Sequence, residues 1–119
     1  MLFAPIASKL TSFSNNTAQN LANNPSTTPG YNFWGYEVDN TANSTISYLQ
    51  LFNLPSSQVT VGTTTPDLIY AINANSSRGF GFGPPLIFEK GISGVVTTTP
   101  TGSTAPSSTT YVTIYHEAK

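Results

Sequence analysis

"NFWGYEVD", Asn32–Asp39, is the stretch on which the fold turns. Trp34, Tyr36 and Val38 alternate with Phe33, Gly35 and Glu37, so each set falls on its own face of an extended segment. A period of two, rich in aromatic and β-branched residues, predicts a half-buried strand. With Val38 on its side, Trp34 is expected in the core.

Downstream the same grammar repeats. "NTANS" reads as a turn. "TISYLQLFN" carries apolar residues on both faces, the mark of a central strand covered on both sides or of one near a subunit contact. Pro55 and Gly62 punctuate a short strand expected at Val59–Val61, and "DLIYAIN" forms the next. In "RGFGFGPPLIF", Phe80 and Phe82 share one face, expected toward the core, and Gly79, Gly81 and Gly83 leave the other bare. Glycine inside a strand marks a bulge or a close backbone approach. Pro84 and Pro85 cannot donate to a ladder, so they end the strand or fix it at an edge. "ISGVVTTT" and "YVTIY" complete the set, with Val112 and Ile114 facing the core. Seven or so strands at this spacing, and no helical periodicity of useful length, predict an all-β antiparallel β-sandwich, jelly-roll-like or Ig-like, over residues 31–119.

Upstream, residues 1–30 read differently. "TSFSNNTAQNLANNPSTTPG" is dominated by residues whose side chains compete with the backbone for hydrogen bonds, with prolines at Pro25 and Pro29. The expectation is an extended N-terminal arm, irregular apart from a short strand at Leu2–Ile6. Its scattered apolar residues Phe3, Ile6, Leu10 and Phe13 suit docking on a neighbour. "MLFAPIASKL" has no basic stretch and too short an apolar run for a secretory signal.

Composition narrows the function. Charged residues are 8% of the 119, and Ser plus Thr about a quarter, so solubility rests on hydroxyls and amides. A net charge of -1 offers no basic footprint for nucleic acid. No apolar run approaches the ~20 residues of a membrane helix. Cys is absent, which excludes disulfides and thiolate metal sites. Small domains without such staples gain durability from oligomerisation or a large partner.

Catalytic chemistry is sparse. The single histidine, His116, is expected in a solvated end, far from any triad. Glu37 and Asp39 share a strand face at a spacing that glycosidases use, but an acidic solvent-facing edge accounts for them. Asp67, after Pro66, is expected to close a turn. The glycines at 79, 81 and 83 fail the dinucleotide fingerprint because Pro84 follows and no helix does. Scattered carboxylates show no calcium loop. The expectation is no catalytic residue, metal or cofactor. Asn15, Asn43 and Asn75 match the N-glycosylation pattern and are read as composition.

The order "YLQLFN … VTVGTTTPDLIYAI … SSRGFGF … LIFEKGISGVVTTTPTGSTA … VTIY", over about residues 46–115, resembles the small β-sandwich decoration, or cement, proteins on the heads of tailed bacteriophages. Its departure is at Pro84 and Pro85, where a regular glycine turn is expected. The resemblance implies a non-catalytic structural protein on the outer capsid surface of a virion, with the major capsid protein and its own copies, as a trimer, for partners. Phe3, Ile6, Leu10, Phe13, Gly79, Gly81 and Gly83 are then the expected capsid or intersubunit contacts. The alternative is a carbohydrate- or host-receptor-binding module of a phage fibre or head, with Trp34 and Tyr36 as its ligand platform.

Overall fold

The structure is a computed structural model that describes residues 6–13, 17–22 and 30–119, with only the backbone course of 6–13 and of Phe82. Eight strands follow in order: β1 (Ile6–Phe13), β2 (Gln19–Asn20), β3 (Tyr31–Asp39), β4 (Ser47–Phe52), β5 (Leu68–Ile72), β6 (Ser77–Phe88), β7 (Ser93–Thr97) and β8 (Thr110–Ala118). They form two antiparallel four-stranded sheets, β1-β8-β3-β6 and β2-β7-β4-β5. The all-β antiparallel sandwich expected from the sequence is the fold observed.

Its wiring follows one rule. β1 pairs β8, β2 pairs β7, β3 pairs β6 and β4 pairs β5. That is the pairing of one long hairpin, and rolling it up adds the β3–β8 and β4–β7 contacts. This is the jelly-roll connectivity, not the Ig one. Strands 6–13 and 19–20, inside the segment read as an arm, are therefore built into both sheets. Ile6, Leu10 and Phe13 stand opposite His116, Val112 and Thr110 of β8. Leu2–Pro5, where the short strand was expected to begin, lie outside the described residues, Phe3 among them.

The core forms where inward residues of the two sheets meet. Phe33, Tyr36, Val38, Val112 and Ile114 of the first sheet pack against Leu49, Leu51, Val96 and Ile72 of the second, all buried. Full burial of such side chains is worth roughly 1.5–3 kcal/mol each. Val112 and Ile114 sit as expected. β4 also behaves as read: it is internal, and both its faces are covered.

The cover on the outer side of β4 comes from loops. Gln50, Phe52 and Val95 point away from the first sheet, yet all are buried. Gln50 Nε2 donates to Gly102 O at 3.0 Å, and Ser93 Oγ to Leu54 O at 2.8 Å. Leu54, Val59 and Val61 pack against the core from this lid. The strand expected at Val59–Val61 is thus replaced by a 3-10 turn (Ser56–Gln58) and a tight turn in which Thr63 and Thr64 donate to Thr60 O. An isolated β-branched pair had suggested a strand. Here the backbone satisfies itself locally, and the valines serve as plugs.

Candidate functional site

Among the described residues, the outer face of β1-β8-β3-β6 carries no covering loop, and a bulge decides what stands on it. Between Phe33 and Gly35 the register of β3 shifts against both neighbours. Phe33 pairs His116 and Gly35 pairs Tyr115, so Trp34 is one residue too many on β3. The inward set is Tyr31 and Phe33 before the bulge, and Tyr36 and Val38 after it. An extra residue flips the alternation. Trp34 is therefore half-buried on the outer side rather than in the core, and its Nε1 donates to Glu117 Oε1 at 3.1 Å. Asn32 Nδ2 donates to the same oxygen at 3.1 Å.

Tyr36 goes the other way. It is 1% exposed and stacks on Tyr70 of β5, with ring centroids 4.2 Å apart. Burial raises the pKa of both phenols, Tyr70 to about 12. The platform expected of Trp34 and Tyr36 together is thus split between two sides of the sheet, and Tyr36 is a core residue.

The open face pairs carboxylates with hydroxyls. Tyr115 OH donates to Glu37 Oε2 at 3.2 Å, and that bond raises the Tyr115 pKa. Asp39 Oδ1 accepts from the Thr41 hydroxyl at 2.6 Å and its amide at 3.0 Å, which hold the carboxyl below its usual range. Glu37 and Asp39 do share a strand face as read. Around them lies a shallow groove of about 540 Å³, lined by Glu37, Asp39, Ser77, Gly79, Tyr111 and Thr113 among others. A second depression, of about 430 Å³, shares Glu37 and Gly79 with it and extends to Gly81 and Tyr115. Together they form one trough along β3.

The glycines form its floor. A Cβ at Gly79 would come 2.9 Å from Glu37 Cγ and 3.2 Å from Tyr36 O, so the close approach there is by the protein's own β3. Gly81 has only Trp34 O, at 3.9 Å, and Gly83 has nothing within 4 Å.

The edge beyond β3 has a different chemistry. β6 runs past Pro84 and Pro85 instead of ending there, and residues 82–85 lie outside its ladder with β3. Phe80 pairs Tyr36 and so lies on the inner side, but β6 is the last strand of its sheet. On that edge strand Phe80 is 55% exposed, not in the core as expected. Leu86 and Ile87 of β6 and Ile69 of β5 are exposed as well. Leu86, Ile87 and Phe88 line a notch of about 230 Å³ with Leu68, Asn53 and Asp67. Asp67 caps a bend there by accepting from the Asn53 amide at 2.6 Å.

His116 is a further correction. β8 continues to Ala118, so the alternation of Val112 and Ile114 carries His116 inward, where it is 7% exposed and sits edge-on to Tyr31 at 5.6 Å. Burial lowers its pKa. Among the described residues no cluster of His, Asp and Glu has the geometry to hold a metal ion. The fold and its surfaces define a jelly-roll sandwich with loops covering the centre of one outer face, the other outer face open, and exposed apolar residues on the edge strands β5 and β6. No family model matches the chain, and no curated protein is found related to it.

Proposed function

We propose that the protein is a non-catalytic structural component of a phage virion, which binds the outer capsid surface and stabilises the lattice of the major capsid protein. The observation that carries this reading is the apolar flank. Phe80, Leu86, Ile87 and Ile69 stand exposed on the two edge strands β5 and β6. Unpaired edges in solitary proteins are guarded by charge, and an apolar one fits a chain that spends its life against a partner. The resemblance of residues 46–115 to decoration proteins supplies the kind of partner. Jelly rolls serve in viral capsids and in lectins alike, so the fold by itself argues for neither.

Magnitudes favour self-association as part of the proposal. Completing the burial of each flank residue gains on the order of 1 kcal/mol. Four such gains only match the lower end of the usual cost of association, at least about 4 kcal/mol. A single copy would bind poorly, whereas a trimer at a three-fold position of the shell would engage three flanks at once.

The test uses particles purified from cells carrying the encoding genome. The chain should co-purify with them, and protein added back to stripped particles should raise their disruption temperature. Leu86→Asp with Ile87→Asp should abolish that rise while leaving the free protein's melting intact. Absence of the chain from the particles would overturn the proposal. Deleting residues 1–13 is a poorer test, because it removes β1 and bares the edge of β8.

A further inference from the structure

The trough on the open face reaches Phe80 at one end, but its polar lining asks for a different occupant from that of the apolar residues of β5 and β6. We propose that it is a binding site for a neutral oligosaccharide. Tyr111, 46% exposed, and Tyr115 flank the trough and present apolar ring surface beside polar groups. Such rings suit the C–H faces of a pyranose while their hydroxyls stay wet. On the neighbouring strand β3 stand Asp39, opposite Tyr111, and Glu37, opposite Thr113, each already oriented by a hydroxyl donor on one oxygen. The second oxygen of each carboxylate, Glu37 Oε1 and Asp39 Oδ2, suits a sugar hydroxyl as donor.

The remaining lining groups match the rest of a saccharide. The hydroxyls of Ser77, Tyr111 and Thr113 both donate and accept, which a ligand made of vicinal diols uses and a purely cationic one does not. The two carboxylates repel sulfated, sialylated or nucleic-acid ligands. The close packing of Gly79 against β3 keeps the floor low enough for a flat ring to lie across it. Arg78, which also borders the trough, is turned aside: its guanidinium donates to Ala71 O at 2.7 Å.

The decisive experiment is an amide NMR titration of the full chain with hexasaccharides of glucose, mannose and N-acetylglucosamine, in parallel with a decalysine peptide. At least one sugar is expected to shift the amides of Glu37, Gly79, Gly81 and Thr113, while the amides of Ile69, Leu86 and Ile87 stay still. Tyr111→Ala should weaken that binding about tenfold or more, and Glu37→Gln should weaken it too, both with melting temperatures near that of the parent. No shifts up to about 10 mM sugar, weaker than any useful site, would overturn the proposal. So would shifts confined to another face. Shifts produced by decalysine and by no sugar would assign the trough to a cationic segment and overturn it equally. Capsid occupancy of Tyr111→Ala separates the two proposals, since the flank is untouched.

Discussion

Asn40→Asp changes one buried NH2 for an oxygen, and the structure sets what that costs. Asn40 is fully buried at the end of β3. Its Nδ2 faces three carbonyls, Thr45 O at 3.1 Å, Asn73 O at 3.1 Å and Ile72 O at 3.4 Å. Its Oδ1 accepts from Ser47 Oγ at 2.8 Å and Asn43 Nδ2 at 3.0 Å. The side chain thereby ties the ends of β3 and β5 to the start of β4. An aspartate keeps the Oδ1 bonds but turns an acceptor toward three acceptors. Each net hydrogen bond is worth about 1 kcal/mol, and each orphaned buried group costs about 1–3 kcal/mol. Counting only the two shorter contacts, the loss is on the order of 4 kcal/mol. For a chain of this length the unfolding entropy is roughly 0.25 kcal/mol/K, so the melting temperature should fall by about 16 °C. The carboxyl should also titrate well above the usual range, because burial among carbonyls penalises its charge. Its folded pKa being raised, the variant's deficit relative to the parent should shrink as the pH falls below that pKa. Thermal melts of both proteins across pH 4 to 8 measure this. A variant within about 1 kcal/mol of the parent, with no such pH trend, would refute the hub.

Three shorter predictions use other parts of the sandwich. Burial depresses the folded pKa of His116 below its ordinary 6.5, so its contribution is complete above that value and is lost as pH falls through the window beneath it. Urea midpoints should therefore drop between about pH 7 and pH 5, and His116→Phe should flatten that slope. A Cβ at Gly35 would overlap the carbonyl of Phe80, whereas one at Gly81 has room. Gly35→Ala should then cost about 2 kcal/mol or more, and Gly81→Ala less than about 1 kcal/mol, by chemical denaturation. Trp34 should be quenched by acrylamide, more so in Glu117→Ala, which removes the acceptor of its indole N–H. A blue-shifted, unquenchable tryptophan would return it to the core and contradict the bulge.

The sandwich was legible because its strongest signals are local. β4 reads as doubly covered from "SYLQLF" alone, and Val112 and Ile114 announce the inner face of β8. The errors share a cause, which is that pairing partners are invisible in one chain segment. A bulge at Trp34 is created by its neighbours β8 and β6, and nothing in "NFWGYEVD" marks it except Gly35, the residue that lets Phe80 O come close. His116 was misplaced by counting from the chain end; carrying the Val112–Ile114 alternation two residues further would have placed it inward. Phe80 faces the side the alternation assigned, but its exposure follows from the place of β6 at the sheet edge, which the segment alone does not reveal. The hub at Asn40 read as a turn, since Asn serves turns and buried networks with the same side chain.

The placement of the surfaces ties the two proposals together. β6 carries the apolar flank on its free edge and, through Gly79 and Gly81, the floor of the trough on its outer face. The residues that line the trough all belong to the first sheet, while loops cover Gln50, Phe52 and Val95 on the outer side of the second. If the flank anchors the protein, the open sheet stands upright beside the anchored edge and its trough stays accessible. If the flank were instead the ligand site, the open face would have no reason to keep Glu37, Asp39, Tyr111 and Tyr115 around a glycine floor. The inverted arrangement, with the open sheet face against the shell, would bury Glu37, Asp39 and Glu117 without an opposing cation among the groups that touch them here, and burying carboxylates unpaired costs several kcal/mol each. Protection of the open-face amides from hydrogen exchange on particle binding would show that inverted orientation, and protection of β6 residues 86–88 with exchange retained at Thr113 would show the upright one.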